Sequence, residues 1–230
     1  FKPCEDMQSV RVWDLPTRLF HWLLALAVVA LVVSAKVGGD AMNLHMRLGY
    51  GVFALLLFRL AWGVVGGRWS RFASFAPTPA RLRAYLKGHT PIDTQVGHNP
   101  LGALSVLAML AVLSMQVGTG LLADDEIAYA GPLAARASEA VVKLASRYHT
   151  GPGQALILAL VALHVLAIIA YAWRGHALVR PMISGDKTMA QAVAVSRDTA
   201  GTRLFALVLL ALSAAVVYAV VRWGDAAALA

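Results

Sequence analysis

Residues 153–173 read GQALILALVALHVLAIIAYAW, a run with no Asp, Glu, Lys or Arg and one histidine, His164, near its middle. It matches the ~20 apolar residues an α-helix needs to cross a bilayer core, and its apolar positions do not alternate as a strand's would. Four further runs are predominantly apolar over a similar length: Leu19–Val37, Leu44–Val65, Leu101–Leu122 and Leu204–Val221. Lipid offers the backbone no hydrogen-bond partners, so each run predicts a transmembrane helix. Asp14 and Pro16 open the first helix, Asn43 the second and Asn99-Pro100 the third. Trp13, Trp62, Trp173 and Trp223 stand at the predicted ends, where interfacial aromatics belong.

Composition agrees. The 230 residues are 59% hydrophobic and 14% charged, with a mean hydropathy of +0.67. Soluble domains carry roughly 25% charge, which argues against an ordinary soluble enzyme and excludes a disordered chain. The single cysteine, Cys4, excludes an internal disulfide framework, a covalently attached c-type haem, an iron–sulfur cluster and a cysteine-rich zinc site. The net charge of +8 reads as membrane topology rather than nucleic-acid binding. Fourteen Lys and Arg, Arg59 among them, fall on the side of the N-terminal lead, against six on the other side. The positive-inside rule then puts the N-terminus in the cytoplasm and the C-terminus outside. No signal-peptide cleavage pattern precedes the first run, and a chain that opens on Phe1 leaves room for residues upstream. The longest cytoplasmic loop, Gly66–Gly97, reads as a solvated basic stretch or as the carrier of a short surface helix over Pro79–Leu86.

Histidines within or beside spans are costly and point to function. Taken singly, each also suits a neutral imidazole bonded to a carbonyl of a neighbouring helix. Their arrangement says more. His21 and His164 lie at similar depth toward the cytoplasmic face, and His45 and His149 stand together at the outer face. Two pairs of neutral imidazoles, each drawn from two helices, match the axial ligation of two low-spin haems b. The 15 residues from His149 to His164 correspond to ~22 Å along a helix. The spans supply no Asp or Glu for a zinc or non-haem iron site, nor for a midplane proton carrier.

The segments around these residues carry a resemblance. They are Val12-Trp13-Asp14-Leu15-Pro16-Thr17-Arg18-Leu19-Phe20-His21-Trp22, His45-Met46-Arg47-Leu48-Gly49-Tyr50 and Arg59-Leu60-Ala61-Trp62-Gly63, followed by Gly97-His98-Asn99-Pro100-Leu101-Gly102, Val161-Ala162-Leu163-His164-Val165 and Met182-Ile183-Ser184-Gly185-Asp186-Lys187. In order and spacing they resemble the bacterial cytochrome b561 family, which includes the b-type cytochrome subunit of membrane-bound nickel–iron hydrogenases. The resemblance implies an all-α integral membrane protein: a four-helix haem-binding bundle over residues 10–190, with a fifth, C-terminal transmembrane helix over 200–223 as an added anchor or docking helix.

It also implies two haems b, one held by His21 and His164, the other by His45 and His149. Arg18 and Arg47 stand close to ligands and suit haem propionates, although positive-inside anchoring explains Arg18 equally well. His98, at the cytoplasmic mouth, suits a quinone, a propionate or a capping role. Gly49, Gly51, Gly102, Gly118 and Gly120 suit either close approach of a flat macrocycle or helix packing. One departure concerns His149: the family spaces its two helix-four histidines 14 apart and here they are 15 apart, with Gly151-Pro152-Gly153 between. Either His149 stands in a loop ahead of the span, from which it can still swing onto the iron, or the extra residue is absorbed as a bulge.

The function implied is electron transfer in the bacterial inner membrane between a quinone and a periplasmic dehydrogenase, hydrogenase or c-type cytochrome. The chain would serve as the electron-transfer subunit of an oxidoreductase complex. Its acidic outer loop, Asp124–Glu126, offers a docking edge for a basic partner. The alternatives are a non-redox membrane anchor or transporter subunit with structural histidines, and a haem-dependent metal reductase.

Overall fold

Five helices of the computed structural model are long and apolar enough to cross a membrane. The structure describes residues 8–89, 96–190 and 192–228, side chains to 227; Lys2 and Cys4 lie outside them. The helices named here are α1 (Leu15–Val37), α2 (Ala41–Val65), α3 (Phe72–Phe75), α4 (Pro79–Leu86), α5 (Pro100–Leu122), α6 (Glu139–Thr150), α7 (Pro152–Trp173), α8 (Val179–Ser184) and α9 (Ala200–Ala228). The spans are α1, α2, α5, α7 and α9, with α6 leading into α7. Their large apolar side chains are mostly open, as on Leu26, Leu166 and Leu207, which is the surface that lipid covers. The chain is a multi-pass membrane protein built mainly of helices.

One element was not foreseen. Strands β1 (Gln8–Arg11) and β2 (Asp186–Met189) pair antiparallel, from Gln8 opposite Met189 to Arg11 opposite Asp186.

The chain divides into two compact units. The first comprises Phe1–His21, Arg59–Leu107 and Leu163–Leu207. Its core gathers Val10, Val12, Trp13, Trp69, Val96 and Met189. The backbone N–H groups of Val12 and Trp13 both donate to the Gly185 carbonyl, at 2.9 and 3.0 Å. Gly185 ends α8 at φ +90, where a Cβ would sit 2.7 Å from the Trp13 carbonyl oxygen, so glycine is required there.

Asp14 caps α1 by accepting the Thr17 N–H at 2.8 Å. Its carboxylate also takes Ser70 Oγ at 2.8 Å and Trp62 Nε1 at 3.2 Å. That corrects the interfacial placement of Trp13 and Trp62: both are buried, Trp62 because its indole N–H serves a buried carboxylate. Trp173 and Trp223 are exposed, as expected.

The surface helix over Pro79–Leu86 is present as α4, with Thr78 Oγ1 accepting the Arg81 N–H. Tyr85 pins it through Tyr171, at 2.8 Å between hydroxyls, and Asn99 Nδ2 donates to the same Tyr171 oxygen at 2.9 Å. Burial, then the bond to Tyr171, pushes the Tyr85 phenol up to about 12. Asn99 Oδ1 caps α5 by accepting the Gly102 N–H at 2.7 Å.

The second unit comprises Trp22–Phe58, Ala108–Ala162 and Val208–Ala230. Its second span begins at Ala41, ahead of the Asn43 start predicted, because the Gly38-Gly39 turn already brings the Met42 N–H to the Gly39 carbonyl. The acidic loop is ordered by Asp125, whose Oδ1 accepts the N–H groups of Ile127, Ala128 and Tyr129. Those bonds hold the Asp125 carboxyl below its ordinary value. Arg136 lies 3.9 Å over the Trp223 ring and donates to the Trp223 carbonyl, capping α9 near its end. Gly224 permits this contact, since a Cβ there would meet the Pro132 oxygen at 2.1 Å.

Candidate functional site

His149 is not in a loop. It occupies the last turn of α6, and the chain breaks at Gly151 (φ −113, ψ −104) before Pro152 opens α7. The residue before a proline avoids helical geometry, and here it is a glycine, so the extra residue is absorbed as a break between two helices. In the second unit, His149 and His45, from α6 and α2, bring their ring centroids to 6.1 Å with planes at 87°.

Both rings are tethered. His45 Nδ1 lies 3.0 Å from the Leu31 carbonyl oxygen and His149 Nδ1 2.9 Å from that of Gln116. A carbonyl only accepts, so Nδ1 carries the proton in each ring and Nε2 keeps its lone pair. Gln116 Nε2 in turn donates to the His149 carbonyl at 2.8 Å, and Ser34 Oγ to that of Leu31 at 3.1 Å. Gly120 makes room for the imidazole: a Cβ there would sit 2.7 Å from His149 Cε1.

Both histidines line a cavity of about 380 Å³ with Val28, Leu31, Gly49 and Val117, a size within the ~300–1,000 Å³ of small-molecule sites. Gly49 has open space where a Cβ would stand, whereas Gly51 and Gly118 are exposed. Lys36 is the one Lys or Arg among the described lining residues. Arg47 is exposed and lies outside that lining, because two helical residues past His45 point to a different face.

In the first unit, His21 of α1 and His164 of α7 bring their ring centroids to 6.3 Å, with planes at 54°. His98 sits beside them electrostatically, its ring 4.8 Å from Trp13 and 4.6 Å from Phe75. Burial, then the charge of Arg59 and the imidazoles of His21 and His164, hold it down to about 3, so His98 is neutral. Arg18 donates from Nη1 to the Ile183 carbonyl, and its Nη2 lies 3.9 Å from Asp198.

Two imidazoles bound end-on to one metal, with bonds of about 2 Å, hold their ring centres roughly 6 Å apart. Both pairs meet that spacing. For the His45/His149 pair, the fixed tautomer and the adjacent cavity fit a haem as well, and a ligating histidine usually donates its other N–H to a carbonyl in this way. Sequence reasoning missed Lys36, Gln116 and Arg59 as site residues. Arg59 was counted as a loop charge, although it falls inside the run Leu44–Val65.

The profile of a family described as prokaryotic cytochrome b561 matches residues 12–185. Among curated relatives, the "Probable Ni/Fe-hydrogenase B-type cytochrome subunit" of Cupriavidus necator is 28% identical over 218 residues, covering 80% of this chain and 89% of the relative. The like-named protein of Azotobacter vinelandii is 28% identical over 130 residues, 45% of this chain and 54% of the relative. The "Probable Ni/Fe-hydrogenase 1 B-type cytochrome subunit" of Escherichia coli K12 is 25% identical over 142 residues, 50% and 60% respectively. In these last two matches the chain spans little more than half the relative. No solved structure matches the chain. With a matched stretch that holds all four paired histidines, the chain belongs to the prokaryotic cytochrome b561 family.

Proposed function

We propose that the chain carries two haems b, one between His45 and His149 and one between His21 and His164, and passes electrons between a membrane quinone and a periplasmic redox partner. The observation that carries this reading is the pair of ring separations, 6.1 and 6.3 Å, each between imidazoles of two different helices. Haem iron, when bound, supplies the one-electron chemistry. The chain supplies neutral imidazoles, apolar walls and fixed ring orientation. Residues 10–190 form the cytochrome core, and the helix over 200–223 is appended to it.

The relatives' names favour a nickel–iron hydrogenase as the partner. The charge asymmetry favours the bacterial inner membrane with the N-terminus in the cytoplasm, His45 and His149 outward and the quinone near His21 and His164. The test is the absorption spectrum of detergent-purified protein, oxidised and dithionite-reduced, with haem counted per chain. Two low-spin b haems are expected. One haem would overturn the dihaem reading, and none, in folded protein from haem-replete cells, would favour an anchor with structural histidines.

A further inference from the structure

Arg59 lies inside a transmembrane helix and is only 3% exposed, yet among the described residues no ion pair holds it. Its Nη1 is covered and has no hydrogen-bond partner among the described residues. The guanidinium stacks 4.7 Å over the Phe72 ring and 6.0 Å from that of Phe20, the neighbour of His21. Aromatic faces attract a cation but do not replace the strong acceptor a guanidinium loses on leaving water. Asp14, a buried carboxylate of this unit, acts on Arg59 through its charge, while its hydrogen bonds go to Thr17, Ser70 and Trp62.

A second covered polar atom is near. His98 Nδ1 also lacks a partner among the described residues, and its ring is linked to the same aromatic group, Phe75 packing on His98 at 4.6 Å and on Phe72 at 5.9 Å. The ring contacts run from His98 through Phe75 and Phe72 to Arg59, and from Arg59 to Phe20, the neighbour of His21, which places these groups in one neighbourhood. An acceptor oxygen that the described residues do not provide would satisfy Arg59 Nη1, and also His98 Nδ1 in the tautomer that carries its proton there, and the buried positive charge makes an anionic one the better match. Arg18, the cation closer in sequence to His21, has Nη1 on the Ile183 carbonyl and Nη2 3.9 Å from Asp198, while its covered Nε has no partner among the described residues; Arg59 has no such carboxylate within ion-pair distance among them.

We propose that Arg59, with His98 beside it, holds a propionate carboxylate of the haem carried by His21 and His164. This rests on the dihaem reading. A carboxylate held in this way fixes the orientation of the macrocycle, and the buried cation favours the ferrous over the ferric iron.

The experiment compares the full chain with its Arg59→Gln, Arg59→Lys, His98→Gln and His21→Ala variants, purified in detergent. Haem per chain is counted, each midpoint potential is titrated, and far-UV circular dichroism and gel filtration check the fold. Arg59→Gln is expected to lower one of the two midpoints by about a tenfold change in the ferric-to-ferrous equilibrium, about 59 mV for one electron, or to lower that haem's occupancy. The other haem stays unchanged, Arg59→Lys recovers part of the loss, and His98→Gln gives a smaller shift of the same haem. Unchanged midpoints and occupancies in Arg59→Gln, while His21→Ala loses one haem, would overturn the proposal and leave the dihaem reading standing. A changed KM for quinone with unchanged haems would assign Arg59 to the quinone and also overturn it. If His21→Ala keeps both haems, the ligand reading itself fails. Should Arg59→Gln not fold, Arg59→Lys and His98→Gln decide the matter on the same two readouts.

Discussion

The two histidine pairs have nearly the same ring separation, but the chain holds them by different means. His45 and His149 are tied at Nδ1 to carbonyls of α1 and α5, so backbone fixes their tautomer and aim. Around His21 and His164 stand a buried guanidinium, a neutral histidine and packed aromatics. A carbonyl bond at Nδ1 makes an imidazole a stronger donor to iron and favours the ferric state. A buried cation does the opposite. On the dihaem proposal, the differing surroundings are expected to separate the two potentials, with the His21/His164 haem the higher.

The largest effect breaks one pair and spares the other. His149→Ala or His45→Ala is expected to leave one haem per chain, and His164→Ala to remove the other, as counted by pyridine haemochromogen against protein mass. A variant that lost both haems from folded protein would mean the pairs are not independent. Gly120→Val follows closely. Even the first added carbon would lie 2.7 Å from His149 Cε1, so most of the haem at that pair should be lost while the other keeps its occupancy and midpoint.

Much of this was legible in the sequence, for reasons that particular residues make clear. The five spans could be read because apolar length is a one-dimensional property, and the runs ending at Val37, Val65, Leu122 and Trp173 end there in the structure. The histidine pairs could be read because depth in a membrane follows from position along a helix. What failed was anything that depended on facing or on long-range partners. Arg47 looked like a propionate partner by proximity to His45, but adjacency in sequence does not mean adjacency on a helix face. Trp62 looked interfacial because the sequence does not show that Asp14, 48 residues away, takes its N–H. The β1–β2 pairing joins segments 175 residues or more apart, and no local pattern marks such short strands.

A gentler change sharpens the comparison. Gln116→Ala removes the bond to the His149 carbonyl but leaves the Gln116 carbonyl that receives Nδ1. Loss of such a supporting contact costs roughly 10–100-fold in metal affinity, and the low end is expected because the tether itself remains. Haem titration into apo-protein reads this directly. If Gln116→Ala weakened both haems equally, the backbone tethering of one pair would not be what distinguishes them.

The smallest effect comes from a clamp confined to the first unit. Asp198, its side chain 3% exposed, receives Arg11 and Arg203 at 2.8 Å each and has Arg18 at 3.9 Å, three residues ahead of His21. Burial pushes its carboxyl up, but bonds from Arg203, the Leu15 N–H and Arg11 together hold it below its ordinary value of 3.8. A carboxylate depressed in the folded state stabilises the fold above its unfolded pKa, and that contribution is lost as pH falls through the folded one. Asp198→Asn should therefore lower the thermal midpoint by a few degrees at pH 7 and converge with the parent in strong acid. Because the clamp steadies Arg18 beside the start of α1, the variant should shift the midpoint potential of the His21/His164 haem slightly and leave the carbonyl-tethered pair untouched. Equal shifts in both haems would show that the clamp acts on the fold as a whole, and the contrast between a backbone-set pair and a side-chain-set pair would lose its support.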